Sequence, residues 1–166
     1  NMDEGWTRWV LERYEFAFRS IHDAEIKAGN LGERFDVIIL PSDSPSKLLK
    51  GNAPGTMPPR YVGGIGEQGA DNLLAFVRSG GTLICMGDAS KLAIERFDLP
   101  VDSGLDESED TDPFYAPGSI LQVNLDTSHP LVFGRKSPQP IYFAQSPIFE
   151  VPKMPRPGAA RAIICF

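Results

Sequence analysis

Residues 69–97 read GADNLLAFVRSGGTLICMGDASKLAIERF, and the class of the fold turns on them. Leu73, Leu74, Phe76 and Val77 recur at helical spacing, and Gly80-Gly81 supplies a stop. Thr82-Leu83-Ile84-Cys85-Met86 is then a short apolar run of the kind expected of a strand buried on both faces. Gly87-Asp88-Ala89-Ser90 turns the chain before a second helical pattern, Leu92, Ala93, Ile94 and Phe97, so a strand's carboxyl end meets a helix start. In an open α/β sheet that is where ligands and chemistry gather.

Upstream, Phe35-Asp36-Val37-Ile38-Ile39-Leu40-Pro41 is an apolar, β-branched run stopped by proline, the best candidate for a second parallel strand. Nearer the front, Asp3 is placed to cap a helix of about three turns whose stripe is Trp6, Trp9, Val10 and Tyr14. Two tryptophans so close predict a helix docked hard against a sheet. Phe16–Ile21 alternates as a strand would, and Asp23–Ala28 fits a short helix ended by Gly29. Residues 42–69 are rich in serine, proline and glycine and read as a long connection, either functional or a docking surface.

Downstream, the segment from Asp98 to Asp112 is acidic and reads as a solvated loop, because its carboxylates lack the spacing of a calcium loop. Ser119–Leu125 alternates as a half-buried strand, and Asp126-Thr127-Ser128-His129-Pro130 makes a turn. Ile141–Phe143, Ile148–Val151 and Ala162–Phe166 are further short strand candidates. Strands alternating with helices, then strands alone, predict an α/β domain: a three-layer, mostly parallel sheet with an antiparallel extension.

The totals narrow the function classes. With 166 residues, 42% apolar and 23% charged, the chain has the composition of one soluble globular domain spanning 1–166. A net charge of −6, with 16 basic residues scattered along the chain, argues against a nucleic-acid partner. No segment approaches the roughly 20 apolar residues of a membrane span, and the front carries no signal-peptide pattern. Cys85 and Cys165 match no metal or redox spacing, Gly63-Gly64-Ile65-Gly66 lacks the flanking strand and lysine of a phosphate cradle, and no cofactor is expected. The text opens on Asn1 and at once enters a helix, so residues are expected before it.

The order of these pieces resembles the class I glutamine amidotransferase-like fold, a flavodoxin-like sheet with a cysteine on the turn after a central strand: FDVIILP, a helix, GGTLICMGDA and a further helix. More narrowly, MDEGWTRWVLERYEF, RFDVIILP, PGTMPPRYVGGIG, the GGTL strand, PGSIL and DTSHPLVFG look like the amidotransferase-like domain that follows the catalytic domain in bacterial zinc carboxypeptidases of the M14 class. The resemblance implies a non-catalytic accessory module whose partner is the peptidase domain of the same parent, with a small-molecule or peptide ligand open. It also implies a strand before the tryptophan helix, a strand and helix after the last residue, and an exported or periplasmic parent.

Laid beside a working amidotransferase, the chain keeps little of the chemistry. Such an enzyme sets its cysteine on a sharp strand-to-helix elbow, with a histidine base, a carboxylate to orient it and backbone N–H groups for the oxyanion. Cys85 has Gly87 two residues on, but Leu83 stands where a second glycine belongs. The only late histidine is His129, and Leu131 occupies the place of its carboxylate. The expectation is therefore that Cys85 fills core volume and His129 caps a turn, the alternative being a cysteine hydrolase or amidotransferase using the two together. Asp43, Gly87 and Asp88 fall at strand ends and mark the ligand crevice, with turn-forming and capping as their plain roles. His22-Asp23-Ala24-Glu25 matches the first half of a zinc carboxypeptidase ligand pattern but lacks its glycine-rich context, so Asp23 is expected to cap a helix and no metal site is expected.

Overall fold

The structure, a computed structural model, describes residues 1–103, 118–144 and 146–150. The protein is mixed α/β, and its contacts divide it into two compact units, Asn1–Pro100 and Val101–Phe166.

The first unit is organised on two parallel strands, β1 (Val37–Leu40) and β2 (Thr82–Cys85), in register from Val37 opposite Thr82 to Leu40 opposite Cys85. The ladder runs on at both ends, with the Thr82 N–H donating to the Asp36 carbonyl and the Met86 N–H to that of Leu40, each at 2.9 Å. Helices α1 (Met2–Arg13) and α2 (Asp23–Ala28) precede the pair. Helices α3 (Pro45–Lys50) and α4 (Gly66–Arg78) make the crossover, and α5 (Ala89–Phe97) follows.

The core lies on one face of the pair. Ile38 and Leu40 of β1 join Ile26 of α2, Leu73 and Phe76 of α4 and Ala89 and Leu92 of α5, with Leu83 and Cys85 packed against them. Helix α4 earns this place by its pattern: Leu73 and Phe76 fall on one side, 1% and 2% exposed. Asn72 ties it to the end of α2, its Nδ2 donating to the Ile26 and Lys27 carbonyls at 2.9 Å. It ends as the glycine pair predicts, the Gly81 N–H reaching back to the Phe76 carbonyl at 3.0 Å.

Several expectations are corrected here. Strand β2 is not buried on both faces: Ile84 is 44% exposed and Met86 40%, with Val37 open on the same side. Period-2 alternation puts these three on the face opposite Ile38 and Leu83, which alone the core covers. Helix α1 is not docked hard. None of its residues is buried, and Trp6 and Trp9 point outward at 61% and 54% exposure, while Glu4, Thr7 and Leu11 take the sheltered side. Its cap is Asn1, whose Oδ1 accepts the Glu4 N–H at 2.8 Å, and not Asp3. Residues 16–21 form no strand, because alternation without a neighbouring strand leaves the backbone unpaired, and Phe16 and Phe18 stay exposed. The long connection at 42–69 holds α3, a 3₁₀ turn at Pro59–Tyr61 and the start of α4. Asp23 is the first residue of α2 and His22 its cap.

The second unit is antiparallel. Strand β3 (Asp102–Ser103) pairs with β6 (Phe149–Glu150), and β4 (Ser119–Val123) with β5 (Gln139–Phe143). Strand β4 stops two residues short of the expected Leu125. Val101 and Phe143 are its buried apolar residues among those described. Most of the acidic segment, the strand candidate at Ala162–Phe166 and Cys165 lie outside the described residues.

Candidate functional site

The place singled out by the sequence is the carboxyl end of the β1–β2 pair, and local chemistry explains its shape. After Leu40 the chain runs Pro41-Ser42-Asp43-Ser44; the Ser44 hydroxyl accepts the Lys47 N–H at 3.3 Å and Pro45 follows as first helical residue, so α3 starts where the strand ends. After Cys85 and Met86, Gly87 takes φ +49°, and a Cβ there would stand 2.4 Å from the Ser42 Oγ. Glycine is required on both counts, because the two strand-end loops touch. The contact is fixed by the Ser42 hydroxyl, which accepts the Asp88 N–H at 3.2 Å.

Asp43, Gly87 and Asp88, the expected crevice residues, thus come together in the first unit. Asp43 Oδ1 accepts the N–H of the next residue, Ser44, at 3.0 Å. Its Oδ2 takes the Asn1 Nδ2 and the Lys47 Nζ, each at 3.1 Å. Burial pushes this carboxyl up, but the hydrogen bonds from Asn1, Lys47 and the Ser44 N–H, with the Lys47 charge, hold it below the ordinary aspartate value. Asp88 stands at the cap position of α5 without capping it: its carboxylate pairs with Lys91 at 2.9 Å instead.

Cys85 closes β2 from the core side, packed against the buried cluster. Burial pushes its thiol up to about 11. Four backbone N–H groups around the elbow have acceptors. Met86 donates to Leu40, Asp88 to Ser42 Oγ, Ala89 to the Met86 carbonyl and Ser90 to that of Gly87.

His129 belongs to the second unit and heads the 3₁₀ turn at Pro130–Val132, its Nδ1 accepting the Leu131 N–H at 3.2 Å. Beside it Asp126 accepts the Ser128 N–H and hydroxyl at 3.1 and 2.5 Å, and these bonds hold its carboxyl low. His22 caps α2, its N–H meeting Glu25 Oε2 at 3.3 Å and its ring set edgewise against Tyr61. Glu25 is taken by Arg19 and Arg34, and its carboxyl is lowered first by the Arg34 hydrogen bond. Among the described residues no group of three or more His, Cys, Asp or Glu is placed to hold a metal.

A shallow hollow of about 600 Å³ lies at the other, amino end of the strand pair, edged by Asn30, Glu33, Phe35, Asp36, Ser79 and Thr82. It holds no cysteine or histidine, and its chemistry is that of a surface recess. The sequence missed two residues of the strand-end site, Ser42 and Asn1. For Ser42 the signal was its position directly after the Leu40-Pro41 stop; for Asn1 there was none, since its contacts reach 41 and 42 residues along the chain.

No family model matches the chain, and neither a curated protein nor a solved structure matches it. Among the described residues, no helix is long and apolar enough to cross a membrane.

Proposed function

We propose that this chain is a non-catalytic accessory module on an amidotransferase-like, three-layer flavodoxin-like scaffold. It belongs to a larger zinc carboxypeptidase-like protein of the M14 class and works by packing on the peptidase domain or by holding a small-molecule or peptide ligand at the strand ends. The observation that carries the non-catalytic half is Cys85. A nucleophilic thiol must be a thiolate, and a thiol raised to about 11 leaves only about one molecule in ten thousand ionised at pH 7, four units lower. An acyl-transfer site also needs backbone donors free for the oxyanion, whereas the elbow's Met86, Asp88, Ala89 and Ser90 N–H groups are spent on neighbours. The accessory half rests on the sequence resemblance, and the partner and exported location come with it.

Iodoacetamide on the native chain at pH 7, with peptide mapping to read position 85 separately from Cys165, tests the first half. Cys85 is expected to stay unmodified until the chain is unfolded. Rapid native labelling, with a thiol titrating below its ordinary range, would overturn it. The second half is tested by the reading frame: a zinc carboxypeptidase domain encoded upstream supports it, and a start codon at Met2 removes it.

A further inference from the structure

The hollow at the amino end of the β1–β2 pair holds about 600 Å³, within the range of small-molecule sites. Every residue that lines it lies between Asn30 and Thr82, so the first unit alone builds it. Part of the lining is apolar. Phe35 and Phe76 contribute to it together with Val37, which stands on the uncovered face of the strand pair at 49% exposure. The polar part is one-sided: Asn30 brings an amide, Glu33 and Asp36 carboxylates, and Ser79 and Thr82 hydroxyls, while no lysine, arginine or histidine lines the hollow. The Ser79 hydroxyl donates to the Phe76 carbonyl at 2.8 Å, which leaves its oxygen to accept. Neither the Glu33 nor the Asp36 carboxylate has a hydrogen bond or ion pair among the described residues. The cation next to them in sequence, Arg34, is held by Glu25 at 2.7 Å.

We propose that this hollow binds a primary amine carried on a short apolar or aromatic arm. An ammonium group has three donors and no acceptor, and the hollow offers it two unpaired carboxylates, hydroxyl oxygens and an amide carbonyl. The arm lies against Val37 and the phenyl rings and takes their exposed surface out of water. An anion would meet two carboxylates and no cation, and a neutral molecule of the same shape would forgo the charge-assisted bonds, so charge sets the selectivity. The ammonium can belong to a free small molecule or to a lysine side chain of a peptide; the recognising chemistry is the same. This inference concerns the opposite end of the strand pair from Cys85 and rests neither on that thiol nor on the parent protein.

Backbone amide shifts of the isotope-labelled full chain read it directly, during titration with phenethylamine, its neutral counterpart 2-phenylethanol, and a capped dipeptide of lysine and phenylalanine. Phenethylamine or the dipeptide is expected to move the amides of residues 30–37 and 79–82 saturably, and to bind about five-fold more tightly than the alcohol. The tighter of the two amines then identifies the source, a free small molecule or a peptide. Glu33 and Asp36 are exposed, so Glu33→Gln with Asp36→Asn leaves the core untouched. The double variant should lower amine affinity about five-fold while residues 70–77 keep their native shifts. Equal affinity for amine and alcohol would overturn the proposal, as would an amine affinity that the double variant leaves unchanged. The absence of any saturable shift in residues 30–37 and 79–82 with either amine would overturn it as well.

Discussion

Helices α1 and α4 have 12 and 13 residues, both carry an apolar stripe at helical spacing, and they meet opposite fates. Helix α4 turns Leu73 and Phe76 into the core, while α1 turns Trp6 and Trp9 to water and shelters Glu4, Thr7 and Leu11. The difference is in what lies opposite. Helix α4 joins β1 to β2 and must lie back across the pair it connects, so its position follows from the connection. Helix α1 has no such obligation; nine residues without helix or strand separate it from α2. Periodicity shows which side of a helix is apolar, and the connection decides whether that side is covered.

The largest effect expected from this contrast is at Leu73. Truncation to alanine removes buried methyl groups and leaves a cavity between α4 and the strands, a loss of about 3 kcal/mol in urea unfolding. A loss under about 1 kcal/mol would mean that the core is not closed around α4 and the contrast fails from that side. Next is Gly81→Ala. Its φ is one any residue can adopt, but the new Cβ would lie 2.3 Å from the Phe76 ring, so the ring must shift at a cost of about 1–3 kcal/mol. If Phe76→Leu is made first, the cost of Gly81→Ala should fall, a coupling that reads the contact itself.

Where the sequence could be read and where it could not follows the same division. The runs at 37–40 and 82–85 are legible because a strand in a parallel pair is apolar along its length, and Gly80-Gly81 ends α4 by a local rule. Helix α3 was hidden although its start is written in Ser44-Pro45, since six residues between prolines and glycines are too few for a period to stand out. The alternation at 16–21 misled because a strand is a property of two segments, and only one is visible in a local pattern. Cys85 at a strand end in the first unit and His129 as a turn cap in the second were each legible for local reasons. The roles of Asn1 and Ser42 were not, since their partners are more than 40 residues away.

A smaller effect is expected where α1 is fastened. Asp43→Ala removes acceptors used by Asn1, Lys47 and Ser44 and should cost about 1–2 kcal/mol near neutrality. The sign of its pH dependence is fixed. The carboxyl is held below its unfolded value, near 3.8, so its stabilisation is complete above that pH and is lost as the pH falls through the folded value. The gap between the native chain and Asp43→Ala should therefore be constant from pH 7 to 5 and shrink in stronger acid. A gap that widens on acidification would mean that the carboxyl is raised by burial and that Asn1 and Lys47 do not hold it.

The smallest expected effect is the most pointed test of the contrast. Trp9 is the largest kind of side chain, and in a core its truncation would cost about 3–5 kcal/mol. Here its ring stands edgewise to Trp6, 6.0 Å between centres, with more than half its surface in water. Folding therefore removes little of that surface from solvent, and the edge contact with Trp6 joins residues one helical turn apart, which can meet without any tertiary structure. Trp9→Ala should shift stability by no more than about 0.5 kcal/mol, and acrylamide should quench both indoles in the native chain nearly as well as in the unfolded one. A loss like that at Leu73, with shielded indoles, would mean that the stripe of α1 is covered in solution, and the two helices would then obey one rule.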